Sequence, residues 1–158
     1  DLTEDTSEIR IDNIGGYKYY RIKINRLKNT EDTTGAVTLR FNDGLSQYSN
    51  PYKMIRRYTT GTTSHLAQGN DVSSLQIPNI LASSASIYYG YLDIVIHNPL
   101  STNIYMPVSI TGMVNLQDGT LGVTEMYGLY RLYEPFSNLV ITGNMRSSLT
   151  NIDILGVK

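Results

Sequence analysis

A two-residue alternation of apolar and polar side chains constrains this chain more than any other feature of it. In Tyr17–Leu27, YKYYRIKINRL, Tyr20, Ile22 and Ile24 fall on one side, while Tyr19, Arg21, Lys23 and Asn25 fall on the other. Successive side chains of a strand point to opposite faces, so this period describes a strand with one buried and one wet face. Tyr91–His97 repeats the pattern, with Leu92, Ile94 and Ile96 set against Asp93, Val95 and His97. Similar β-rich runs predict strands at Glu8–Ile11, Val37–Phe41, Tyr52–Thr59, Leu75–Ile80, Ile104–Leu116, Leu121–Tyr133, Leu139–Thr142 and Ile152–Val157. Helical periodicity is almost absent.

Between these runs lie residues that tolerate positive φ: Gly15-Gly16, Asp43-Gly44, Asp118-Gly119 and Gly143-Asn144. Alternating runs flank Asp118-Gly119 on both sides, which predicts a hairpin joining Ile104–Leu116 to Leu121–Tyr133. Lys28–Gly35 and Thr59–Ser74 are rich in Thr, Ser, Asn, Asp and Gly and are predicted as loops, the second long enough to carry function. Roughly eight to ten strands with no helical units imply a sandwich or barrel. The expected fold is therefore all-β, an antiparallel β-sandwich of jelly-roll type. One domain is expected over residues 1–158, with 1–8 an extended amino-terminal segment before the first strand. Its core is expected to hold Ile22, Ile24, Leu39, Phe41, Ile94, Ile96 and Ile141.

Composition narrows the function. With no cysteine, disulfides, thiol catalysis and thiolate zinc sites are excluded. Lys and Arg number 13 against 14 Asp and Glu, so the basic surplus that phosphate binding needs is missing and no nucleic-acid partner is expected. No apolar run approaches the roughly 20 residues that span a bilayer as a helix, so no membrane partner is expected. The opening DLTEDTSE is acidic and unlike a signal peptide.

No catalytic kit is legible. His65 and His97 belong to no metal-spaced pair, the serines of Ala82–Ser86 lack a nucleophile-elbow setting, and no phosphate-binding glycine motif occurs. The carboxylates Glu125, Glu134 and Asp93 read as solvated strand-face charges before they read as a glycosidase pair. The expectation is a protein that is not an enzyme, with no catalytic residues, metal or cofactor. Tyrosine is the one overrepresented aromatic: 13 Tyr stand against 2 Phe and no Trp. Its ring is apolar and its hydroxyl wet, which suits exposed recognition surfaces as well as strand packing. Tyr88, Tyr89, Tyr91, Tyr127, Tyr130 and Tyr133 form the candidate recognition surface.

Three segments carry a family resemblance. They are YRIKINRL at Tyr20–Leu27 followed by VTLRFNDGLSQY at Val37–Tyr48, then YLDIVIHNP at Tyr91–Pro99, and finally LVITGNMRSSLTNIDILGVK at Leu139–Lys158. Their order resembles small β-structured virion proteins of tailed bacteriophages, although the spacing after Phe41-Asn42-Asp43-Gly44 departs from that pattern and leaves roles for Asn42 and Tyr48 unassigned. The resemblance implies location in the virion, as a capsid decoration, head-fibre or tail-apparatus protein. It implies assembly on other virion proteins as a homo-oligomer, a trimer before a dimer. The alternative is a carbohydrate- or receptor-binding module of a tail fibre, with the tyrosines stacking on a host surface glycan.

Overall fold

A computed structural model describes residues 4–12, 14, 16–41, 51–97, 105–116, 118–131, 137–146 and 150–157. Among the described residues there are eleven strands: β1 (Thr6–Asp12), β2 (Tyr19–Leu27), β3 (Gly35–Phe41), β4 (Tyr52–Thr60), β5 (Thr63–Val72), β6 (Leu75–Leu81), β7 (Gly90–His97), β8 (Tyr105–Asn115), β9 (Leu121–Arg131), β10 (Asn138–Met145) and β11 (Asn151–Val157). They form a four-stranded sheet, β1-β10-β3-β6, and a seven-stranded sheet, β11-β2-β7-β8-β9-β4-β5. Every strand pair is antiparallel. The chain passes repeatedly from one sheet to the other, and only β4–β5, β7–β8 and β8–β9 are sequential hairpin neighbours. This is the expected antiparallel sandwich of jelly-roll type, with no helix among the described residues.

Alternation sets the core because register aligns the apolar positions of neighbouring strands. On the inner face of the larger sheet, Ile22 pairs with Ile94, Ile94 with Ile110, and Ile110 with Met126. On the smaller sheet Ile9 pairs with Ile141, Ile141 with Leu39, and Leu39 with Leu75. These residues belong to one buried cluster, which contains all seven expected core residues. Burying each large aliphatic side chain contributes about 1.5–3 kcal/mol before the entropy of ordering is counted. Phe41, Tyr52 and Tyr130 form an aromatic trio within the cluster, their ring centroids 5.0–6.0 Å apart. The Phe41 N–H donates to the Tyr52 hydroxyl at 2.5 Å, tying β3 in one sheet to β4 in the other.

Two glycines let the layers approach. A Cβ on Gly90 would collide with the Ile80 carbonyl, and one on Gly112 would meet the Ile80 side chain. Strand β6 therefore lies close over β7 and β8 only because those positions have no side chain. The predicted hairpin is present: Asn115 pairs with Leu121, Gly119 takes φ 81°, and the Asp118 carboxylate accepts the Thr120 N–H at 2.9 Å.

Three expectations of the fold change. Gly143-Asn144 is not a turn but lies within β10, in extended pairing that needs no positive φ. Thr59–Ser74 is not a loop, because Thr63–Val72 forms β5, paired along β4 from Tyr52↔Val72 to Thr60↔Thr63. As an edge strand beyond the reach of the smaller sheet, β5 needs no apolar face and so carries no alternation. The extended amino-terminal segment is also shorter than residues 1–8, since Thr6 and Glu8 already pair with Met145 and Thr142 of β10. Asn42, Asp43-Gly44, Tyr48, Pro99, Tyr133 and Glu134 lie outside the described residues.

Ile94 lies on an interior strand of the larger sheet with no exposure. Ile94→Ala is expected to lower unfolding free energy by about 2–5 kcal/mol through lost burial and a residual cavity. Gly90→Ala, which adds one methyl group, is expected to cost about 3 kcal/mol or more because it meets backbone and not a movable side chain. Denaturant midpoints of the two variants check both values.

Candidate functional site

Among the described residues no second layer lies over the outer face of the seven-stranded sheet, and its strands order the side chains into rows. One row runs Gln68–Ile55–Tyr127–Ser109–Val95–Arg21 across β5, β4, β9, β8, β7 and β2. The next holds Lys53–Leu129–Pro107. Together these two rows shape a groove of about 520 Å³, walled further by Asn70 of β5 and His97 of β7. That size falls within the range of small-ligand sites.

Its floor is apolar and its walls are polar. Ile55, Leu129 and Pro107 surround Tyr127, which is 64% exposed and faces outward from the sheet. Gln68 and Asn70 stand on the β5 side, His97 and Ser109 on the β7–β8 side, and Lys53 closes one end. The Lys53 ammonium sits 6.0 Å and the Arg131 guanidinium 5.7 Å from the Tyr105 ring centre, fixing that ring beside the groove. His97 packs edge-on against Tyr19 at 5.8 Å.

A charged row borders the groove: Arg57–Glu125–Thr111–Asp93–Lys23–Asp153. The Arg57 guanidinium donates from Nε to Glu125 at 3.0 Å and pairs with the same carboxylate through its terminal nitrogen. Asp93 is 9% exposed, yet it accepts two bonds from Arg21 Nε, at 3.0 and 3.1 Å, one from a terminal Arg21 nitrogen at 2.6 Å, and one from the Tyr91 hydroxyl at 3.1 Å. The Arg21 hydrogen bonds hold the Asp93 carboxyl below its ordinary value against desolvation, with Tyr91 adding to the effect. Burial, and then the hydrogen bond to Asp93, raise the Tyr91 hydroxyl. Glu125 and Asp93 are thus each committed to an arginine; Glu125 is a part-exposed strand-face charge, whereas Asp93, expected to be solvated, is buried among its hydrogen-bond partners.

The six tyrosines do not gather at one place. Tyr127 stands in the groove. Tyr91 faces the same way but is turned to Asp93, opposite Met113, whereas Tyr127 lies opposite Ser109. Four residues of β8 separate those positions, roughly 13 Å along the strand. Tyr88 and Tyr89 are exposed in the segment before β7, with Lys28 over the Tyr89 ring at 5.1 Å. Tyr130 is 1% exposed and belongs to the core trio, which corrects its placement on a recognition surface: three positions after Tyr127, it must point to the opposite face. Tyr133 lies outside the described residues.

Gln68, Asn70, Lys53, Ser109 and His97 had no place in the sequence-based surface. The first two lay in the segment predicted as a loop, and the others became neighbours only through cross-strand register. No group of three or more His, Asp or Glu side chains is placed to hold a metal among the described residues.

No protein-family model matches the chain, and no curated protein sequence matches it. Among solved structures, sheep galectin-11 in complex with glycerol is similar at TM-score 0.41 and 11% identity, over 98% of this chain and 100% of that one. A toad ovary galectin in complex with thio-digalactose gives TM-score 0.35 at 9% identity, covering 94% and 99% of the two chains. CG-16, a homodimeric agglutinin from chicken liver, gives 0.36 at 9% identity, covering 92% and 99%. At these scores the similarities carry no functional information.

Because its folded-state pKa is depressed, Asp93 contributes stability that is fully present above the ordinary carboxyl value of 3.8 and is lost as pH falls through the lower folded value. Acidification from about pH 5 to about pH 2 is expected to lower the denaturant midpoint of the parent more than that of Asp93→Asn. Equal slopes in the two proteins would show that the Arg21–Asp93 contact adds nothing to folding.

Proposed function

We propose that the chain is a carbohydrate-binding module and that the groove around Tyr127 is its sugar site. One observation carries this reading: an outward tyrosine ring on an apolar strip, flanked on both sides by side chains able to donate and accept hydrogen bonds. A pyranose has the matching character. Its C–H face packs on an aromatic ring, and its equatorial hydroxyls point sideways to amides, hydroxyls and imidazoles. Gln68 and Asn70 supply amides, Ser109 a hydroxyl and His97 an imidazole, each able to take either sense of hydrogen bond. Lys53 adds donors at one end.

The role is binding without turnover. The carboxylates nearest the groove are engaged by arginines, and Glu125 is held by Arg57 in the neighbouring row. Such a module fits the receptor-binding head of a phage tail fibre, the setting in which the phage-virion resemblance and a host glycan meet.

A panel of immobilised oligosaccharides followed by titration calorimetry tests the proposal. The parent is expected to bind at least one neutral oligosaccharide, and Tyr127→Ala to weaken that binding about tenfold, the loss of one stacking contact of about 1.4 kcal/mol. Gln68→Ala is expected to weaken it by a similar factor, whereas Tyr89→Ala leaves it unchanged. A parent that binds no sugar on the panel, or a Tyr127→Ala variant with parental affinity, would overturn the assignment.

A further inference from the structure

Strand β11 ends the seven-stranded sheet with its outer edge unpaired among the described strands. Open edges invite another strand, and natural proteins blunt them with charge, proline, bulges or polar residues. The other three sheet edges here are blunted. Strand β1 carries Glu8, Arg10 and Asp12 and a register break between Thr6 and Glu8. Strand β6 contains Pro78 and has Asn79 at φ 47°. Strand β5 is largely polar, shifts register opposite Tyr52–Met54 and has Asp71 at φ 56°.

Strand β11 is the least blunted of the four. Its pairing with β2 runs unbroken from Asn151↔Asn25 to Val157↔Tyr19, and it contains no proline and one charge, Asp153. It exposes large apolar side chains on both faces at once: Ile154 at 46%, Leu155 at 59% and Val157 at 50%. Ile154 is in the same cross-strand row as Ile22, Ile94 and Ile110, so it continues the core row past the point where the smaller sheet stops covering it.

We infer that β11 pairs with β11 of a second copy of this chain, antiparallel and about a two-fold axis at Ile154. The strand's own sequence selects this occupant. Antiparallel pairing of identical strands in one continuous sheet places residues of matching face opposite each other, so the axis must pass through a residue. With the axis at Ile154, the two copies of β11 overlap along their whole length. Ile154 meets its own copy, Ile152 meets Gly156, Asp153 meets Leu155, and Asn151 meets Val157. No like charges are opposed. Shifting the axis to Asp153 would set two carboxylates face to face, which is destabilising. The match closes at two copies, because each edge is used once, and it leaves the more distant β5 edge free. The two-fold axis is perpendicular to the joined sheet, so both outer faces look the same way. The pairing does not depend on what the Tyr127 groove holds.

Sedimentation equilibrium without sugar is expected to give a dimer of twice 17.7 kDa. Ile154→Lys, which opposes two ammonium groups at the axis, is expected to weaken dimerisation by about fivefold or more. Leu155→Lys provides a second reading from the outer face, with circular dichroism confirming that each variant keeps its β spectrum. The chain has no native cysteine, so Ile154→Cys is expected to form one interchain disulfide on mild oxidation, since the axis brings residue 154 against itself; Ser64→Cys on the β5 edge is expected to form none. Tyr127→Ala, which tests the groove, is expected to remain dimeric. A monomer at all concentrations, a trimer, a dimer untouched by both lysine variants, or crosslinking through Ser64→Cys in place of Ile154→Cys would each overturn the inference.

Discussion

Burial of two facing apolar surfaces is the interaction on which the rest of this structure depends. The row Ile22–Ile94–Ile110–Met126 on one sheet and the row Ile9–Ile141–Leu39–Leu75 on the other belong to the same buried cluster. Neither sheet has another way to hide its apolar side, and a lone sheet of this kind would be unstable in water. The close fit also fixes residue size: β6 approaches the larger sheet only where Gly90 and Gly112 leave room. Because this packing uses the even-numbered positions of β7, β8 and β9, the odd-numbered ones are committed to the opposite, outer face.

The sheets are unequal, four strands against seven, and that mismatch shapes both functional surfaces. The larger sheet overhangs the smaller at its ends. At one end the overhang is polar and forms β5, which contributes Gln68 and Asn70 to the groove. At the other it is apolar and forms β11, where Ile154 and Leu155 stay exposed. The same geometric surplus therefore yields a wet wall beside Tyr127 and a dry edge suited to another strand.

Electrostatics organises the outer face without dominating it. Arg57–Glu125 and Arg21–Asp93 pair across strands, so the charges are neutralised locally and the central groove keeps an uncharged floor. The deeper of the two pairs is the better defined, because Asp93 is nearly buried and accepts from both Arg21 and Tyr91. A buried carboxylate is tolerated only where it is hydrogen-bonded in this way. An unpaired acid in the same position would lack the partners that hold it in its charged form.

The amino-acid order by itself determined that the chain folds as strands, which residues form the core, and where the Asp118-Gly119 hairpin turns. These features rest on local rules: a two-residue period and a residue pair that tolerates positive φ act over neighbouring positions. The same rule separates Tyr127 from Tyr130, since residues three apart on one strand face opposite ways, although composition alone had grouped them. Strand β5 was invisible because an edge strand with both faces in water carries no apolar period. Only tertiary structure decided which outward residues share a groove. Gln68, Tyr127 and Ser109 are far apart in the chain and meet through the registers of β5 on β4, β4 on β9 and β9 on β8. Register is a property of strand pairs, set when both sheets bury their apolar rows together, and no single segment contains it.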